Sequence, residues 1–158
     1  MKRRFRTVAL GGTFDYIHKG HEALLSKSFE SAENVLIGIT TDGFAKKLGK
    51  KVDHDYKARV ERLRDYLDKS FDERDFQIVP LDDYFGMEIY ADEVEAVVVS
   101  PETANRVVEF NEKRINLGFK PLRQVIVDTV LAEDGERISS SRIRKGEIDK
   151  EGHLLKKS

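Results

Sequence analysis

Five short apolar runs, separated by amphipathic stretches, confine this chain to a narrow set of folds. The runs are Phe5 to Leu10, Val35 to Thr40, Phe76 to Val79, Glu93 to Ser100 and Gln124 to Val130. The fourth carries Val94, Ala96, Val97, Val98 and Val99, and reads as a strand buried on both faces. Pro80 is expected to stop the third. Between the runs, apolar residues recur at helical spacing. Leu24, Leu25, Ser28, Phe29 and Ala32 mark a helix over Glu22 to Ala32, and Tyr56, Val60, Leu63 and Leu67 mark another over Asp55 to Leu67. Asp42 is the expected cap of a short helix through Leu48. Pro101 opens a helix to about Leu117, with Ala104, Val107, Val108, Asn111 and Ile115 facing inward. Ser139 to Arg144 begins a last short helix. Such alternation specifies an α/β fold: a Rossmann-like, five-stranded parallel sheet with helices on both faces. Ligands of these sheets sit at the carboxyl ends of the strands, near the switch in strand order.

The chain has 158 residues, which suits one domain over 1–158, with 149–158 as a loose C-terminal tail. A core of that size needs no disulfide or structural metal. There are no cysteines, which excludes thiolate metal sites and cysteine nucleophiles and is compatible with a reducing cytoplasm. With 28 basic and 29 acidic residues, the balanced charge argues against nucleic acid as a partner. No apolar run has the length to cross a membrane, and the basic start is too soon broken by Gly11-Gly12 for a signal peptide. Cytoplasmic localisation is expected. From Asp72 to Glu95 the chain is strongly acidic, and reads as a solvated face.

Gly11-Gly12-Thr13-Phe14-Asp15 leaves the first strand, and His18-Lys19-Gly20-His21 enters the first helix. The spacing is neither the dinucleotide fingerprint nor a Walker A loop. His18 and His21, three residues apart, can share one helix face. Imidazoles there can donate to phosphate oxygens, aided by the helix terminus. Fixed donors aimed at charge that develops on phosphates are a main catalytic resource. Two histidines are too few for zinc, and His54 and His153 lie in loop-like or terminal regions, so no metal site is expected.

The second constellation is Arg137-Ile138-Ser139-Ser140-Ser141-Arg142-Ile143-Arg144, after Asp134-Gly135-Glu136. Its plain reading is a serine-capped basic helix. Its functional reading is a phosphate cradle of hydroxyls, amides and one arginine fork. Helix-face reasoning prefers Arg142, which lies in the first turn.

Gly11 to His21 resembles the first signature of the nucleotidyltransferase superfamily that carries H-x-G-H. Ile138 to Arg144 resembles its second, I-S-S-[ST]-x-I-R. The resemblance implies that His18 and His21 are catalytic and stabilise the triphosphate. It implies that Thr13 orients the phosphate under attack. Gly11, Gly12, Phe14, Asp15, Gly20, Ser139, Ser140, Ser141 and Arg144 would bind ATP and its phosphates. It thus chooses Arg144 over Arg142.

Across roughly Val8 to Ile148 the chain is similar to the archaeal kind of phosphopantetheine adenylyltransferase. Thr40 to Lys47, Tyr56 to Arg59 and Val99 to Thr103 carry that likeness, with Asn111, Arg114 and Gly118. The implied reaction joins ATP and 4'-phosphopantetheine, with Mg2+, to give dephospho-coenzyme A and pyrophosphate. The expected acceptor side comprises Thr13, Lys50 or Lys51, Arg59, Ser100, Glu102 and Thr103. Arg106 and Arg114 are further candidates for positive charge near the site. Asp15 either meets the metal through water or shapes its loop. Other phosphorylated acceptors, such as nicotinamide or flavin mononucleotide, and a non-catalytic nucleotide-binding domain are the alternatives. Monomer and homo-oligomer are equally compatible.

Overall fold

The computed structural model describes residues 3–83 and 93–155. Five strands form one parallel sheet: β1 (Phe5–Gly12), β2 (Ala32–Thr40), β3 (Asp75–Leu81), β4 (Ala96–Val99) and β5 (Arg123–Ile126). Their order is β3-β2-β1-β4-β5. The chain therefore builds outward from β1 in one direction, then returns to lay β4 on its other side. The carboxyl ends of β1 and β4 flank that switch, where α/β sheets open a ligand crevice.

Helices α1 (Lys19–Ser31), α2 (Asp42–Lys47), α3 (Tyr56–Ser70), α4 (Ala104–Asn116) and α5 (Ser140–Arg144) follow the strands as the sequence pattern predicts. Alternation along β1 sends Val8 and Leu10 into a core with Leu25, Phe29, Leu63 and Leu67. Ala9 packs on the other face with Val97, Val99, Val107 and Phe110. All four β4 residues are buried.

Several local readings change. Pro80 does not end β3, because β3 pairs only with β2 and an edge strand tolerates a missing N–H. The cap of α2 is Thr41, whose hydroxyl accepts from Phe44 N at 3.2 Å. Asp42 instead accepts from Tyr56 N and the Arg59 guanidinium. Helix α4 turns a different face inward. Val107, Phe110 and Arg114 are buried, whereas Val108 and Ile115 are 56% and 58% exposed. Arg114 holds the carbonyls of Lys120 and Val94, an inward polar anchor that an apolar stripe does not reveal. In the acidic stretch, Glu88 and Asp92 lie outside the described residues. Arg74, its one base, donates to the carbonyls of Phe29 and Ala32.

Residues 149–155 are tied down rather than loose. Lys19 N donates to Lys150 O, Ile148 bridges Leu154, and Ile148 is fully buried with Ala132 and Ile138. Residues 156–158 lie outside the described residues. No described helix is long and apolar enough to cross a membrane.

Candidate active site

A cleft opens at the carboxyl ends of β1, β4 and β5 and collects both signatures. Its wall includes Gly11 to Asp15, His18, Gly20 and His21 from the first, and Ser139, Ser140, Ser141 and Arg144 from the second. Lys50, Ser100, Glu102, Asp128 and Arg137 complete its polar lining.

The two histidines build the start of α1. His18 is the N-cap, and its Nδ1 accepts from Gly20 N at 3.0 Å. His21 reaches back, its Nδ1 accepting from His18 N at 3.3 Å. This is a capping box made of imidazoles in place of the usual hydroxyl and carboxylate. The rings stack with centroids 3.8 Å apart. With Nδ1 committed to the backbone, each ring keeps its proton on Nε2, its remaining donor. Burial, then the charge of Arg137, lowers the pKa of His18 to about 4. Burial also pushes His21 well below the ordinary range; His18 and Lys50 add to this, and the Tyr16 carbonyl opposes it. Both imidazoles are therefore neutral donors at neutral pH. Gly20 is required by this packing, since a Cβ there would lie 2.9 Å from the His18 ring. Phe14, at φ 54°, packs on His21 with centroids 4.7 Å apart. A positive φ at a non-glycine residue is strain that the surrounding structure must hold, and such strain clusters at functional sites.

Asp15 joins the two ends of the chain. Its buried carboxylate accepts from Arg144 Nη2 at 2.7 Å, from Asp53 N at 3.0 Å and from His54 N at 3.1 Å. His54 Nδ1 lies 3.0 Å from the same carboxylate. Burial would raise the Asp15 pKa, but the Arg144 guanidinium and these N–H groups outweigh it and hold it below its usual value. Tyr16 and Ser140 add a reciprocal stitch, Tyr16 N to Ser140 Oγ at 3.4 Å and Ser140 Oγ to Tyr16 O at 3.3 Å.

Lys50 Nζ lies 3.4 Å from Thr13 Oγ1, which also accepts from Thr40 Oγ1 at 3.2 Å. Desolvation, then Arg106, Arg137 and Arg144, lowers the Lys50 pKa. A lysine and a hydroxyl thus face a crowd of positive charge, an arrangement suited to an anion.

A profile described as cytidylyltransferase-like matches residues 9–146, which span both signatures. The chain belongs to that family. It is 45% identical over 146 residues to the phosphopantetheine adenylyltransferase of Methanopyrus kandleri, covering 92% of each chain. It is 44% identical to the phosphopantetheine adenylyltransferase of Methanothermobacter thermautotrophicus, over 99% of this chain and 94% of that one. Its fold matches a crystal structure from Archaeoglobus fulgidus, titled as a protein with unknown function. The TM-score is 0.68 at 31% identity, covering 78% of this chain and 99% of that one.

Within this family frame, the residues expected around the triphosphate all line the cleft. Three on the acceptor side do not. Arg59 is fully buried; its guanidinium donates to Thr13 O, Thr40 O, His54 O and Asp42, so it braces the floor instead of meeting a ligand. Lys51 is exposed away from the lining, which leaves Lys50 as the lysine at Thr13. The Thr103 hydroxyl donates to Ser100 O. Arg142, the choice of helix-face reasoning, pairs with Asp134 and Glu147 outside the cleft. Buried Arg114 lies outside it too, whereas the charge of Arg106 reaches Lys50. The Asp15 carboxylate accepts from Arg144 and from the backbone of the Asp53–His54 loop. His54 was missed, and Arg137 was seen in the second constellation but given no role. A lone histidine in a loop gives no sign that it will clasp a buried aspartate. Arg137 sits one position outside the second signature.

Proposed function

We propose that this chain transfers the adenylyl group of ATP to 4'-phosphopantetheine, giving dephospho-coenzyme A and pyrophosphate. One observation carries the reading: neutral His18 and His21 line a single cleft together with Lys50 and Thr13 and with Ser139, Ser140, Ser141 and Arg144. A phosphate oxygen of the acceptor attacks the α-phosphorus. The new P–O bond forms as the bond to the β-phosphate bridging oxygen breaks, and pyrophosphate leaves with that electron pair. The acceptor phosphate is already an oxyanion, since its second pKa is about 6. No general base is needed, which suits imidazoles that already carry their proton on Nε2.

Lys50 and Thr13 hold the acceptor phosphate beside the α-phosphate, and so bring two anions together. The Nε2–H groups of His18 and His21 donate to oxygens that gain charge in the transition state. Ser139, Ser140 and Arg144 hold the outer phosphates. Among the described residues no three His, Asp or Glu side chains converge as a metal cage, and Asp15 is committed to protein donors. Magnesium enters as the Mg–ATP substrate, held by phosphate oxygens and water. The reaction is cytoplasmic, within one domain over 1–158, and its partners are small molecules. The test is pyrophosphate release from Mg–ATP and 4'-phosphopantetheine, with product mass read in parallel. Release with no dephospho-coenzyme A would withdraw the acceptor. No release with any phosphorylated acceptor would withdraw the chemistry.

A further inference from the structure

The cleft contains a cation that neither signature accounts for. Arg137 lies on its wall with His18, Ser139 and Arg144. Its backbone is fixed from two sides: residue 137 bridges Leu131 in an antiparallel pair, and Arg142 Nη1 donates to its carbonyl at 3.0 Å. Arg142 is itself clamped by Asp134 and Glu147, so this support offers Arg137 no counter-charge. Arg144, the other arginine on the wall, is neutralised by Asp15. No ion pair or side-chain hydrogen bond among the described residues engages the Arg137 guanidinium. Glu102, also on the wall, feels the charge of Arg137 less than it feels its own hydrogen bonds, one of them from Thr129 at 2.8 Å.

The charge of Arg137 is felt by both His18 and Lys50. In the chain Arg137 adjoins the serine turn that runs to Arg144, whereas Lys50 touches Thr13 of the first signature. Under adenylyl transfer as proposed above, the acceptor phosphate lies at Lys50 and Thr13 and the outer phosphates at the serine turn, and Arg137 goes with the latter.

We propose that Arg137 grips the pyrophosphate half of ATP, contacting outer phosphate oxygens in the bound substrate and in the transition state. This assignment rests on the adenylyl-transfer reading above. As the α-phosphorus bond to the bridging oxygen breaks, negative charge accumulates on the leaving pyrophosphate. A guanidinium already held in place, with no internal ion pair to surrender, stabilises that charge through a two-pronged contact.

The test uses Arg137→Ala and Arg137→Lys in the full chain. The reverse reaction is run from dephospho-coenzyme A and pyrophosphate, and ATP and AMP are titrated separately by calorimetry. Loss of a charged hydrogen bond should weaken pyrophosphate in the reverse reaction, and ATP in the titration, roughly ten- to hundredfold in the alanine variant. AMP binding, the acceptor KM and the Tm should stay unchanged, and lysine should restore part of the loss. Unchanged ATP and pyrophosphate, or a loss confined to the acceptor, would overturn the assignment. If the wild type binds ATP but makes none from pyrophosphate and dephospho-coenzyme A, the adenylyl-transfer reading fails. The ATP-against-AMP comparison would still decide the role of Arg137.

Discussion

The carboxylate of Asp15 and the guanidinium of Arg144, 129 positions apart in the chain, meet at 2.7 Å beneath the cleft. One signature therefore supplies the counter-ion that holds the other's arginine. Asp15→Asn keeps the shape but removes the charge, leaving the partly buried guanidinium only the more distant Asp53 carboxylate, at 3.8 Å. Removing one partner of such a pair should cost about 3 kcal/mol of stability, read from urea unfolding. Turnover should fall with it. Equal stability would show that His54 and the backbone N–H groups suffice without the charge.

His18 carries two separable duties. His18→Ala removes the N-cap acceptor and the donor; His18→Asn returns a good cap without Nε2–H. The alanine variant should lose about 1 kcal/mol of stability and the asparagine variant much less. Both should lose roughly 100-fold or more in kcat, as when a fixed oxyanion donor is removed. Near-normal kcat in the asparagine variant would end the catalytic assignment.

Acid should unfold this protein partly through the same histidine. Folded His18 titrates near pH 4, whereas the unfolded side chain titrates near its ordinary 6.5. Between those values the unfolded state binds the extra proton, so stability rises with pH across the window and is lost as pH falls through it. The full window is worth about 3 kcal/mol for this buried group. The fall in Tm from pH 7 to pH 4.5 should be shallower in His18→Asn than in the wild type. Parallel slopes would contradict the depressed pKa.

Lys50 and Lys51 should behave differently although they are adjacent. Lys50→Ala removes the ammonium beside Thr13, and should raise the KM for the acceptor or lower kcat about tenfold or more. Lys51→Ala should leave steady-state kinetics unchanged. The reverse pattern would move the acceptor phosphate away from Thr13.

Magnesium supplied with ATP should be required for turnover but not for the fold. Excess EDTA should abolish pyrophosphate release while the ligand-free Tm stays constant. A lower Tm in EDTA would reveal a metal held by the protein itself.

The sheet and most helices were legible because buried parallel strands and amphipathic helices write their period into the sequence. Apart from Pro80 on its edge strand, the misplaced details share one cause: a polar side chain doing work that the apolar pattern does not record. Arg114 turned α4, and Arg59 was drawn inward to bind carbonyls from three segments. Helix α1 begins at Lys19, ahead of the expected Glu22, because histidines cap it where rules of sequence look for serine, threonine or aspartate. The serine cradle and His18–His21 were visible as residue types at fixed spacing. The resemblance chose Arg144 over Arg142, but helix-face reasoning could not, because that choice depends on the pairing of Arg142 with Asp134 and of Arg144 with Asp15.

The central place of β1 has a consequence for how the chain is made. Val8 and Ala9 leave the ribosome before their partners on one side, Ala96 and Val97, which follow roughly ninety residues later. Until then the strand bearing the first signature presents an open, apolar edge to its surroundings, a template for wrong pairing. The nascent chain is thus most exposed to aggregation through its most functional strand. Slowing synthesis between residues 40 and 96 should lower soluble yield, with no change in the stability of the finished molecule.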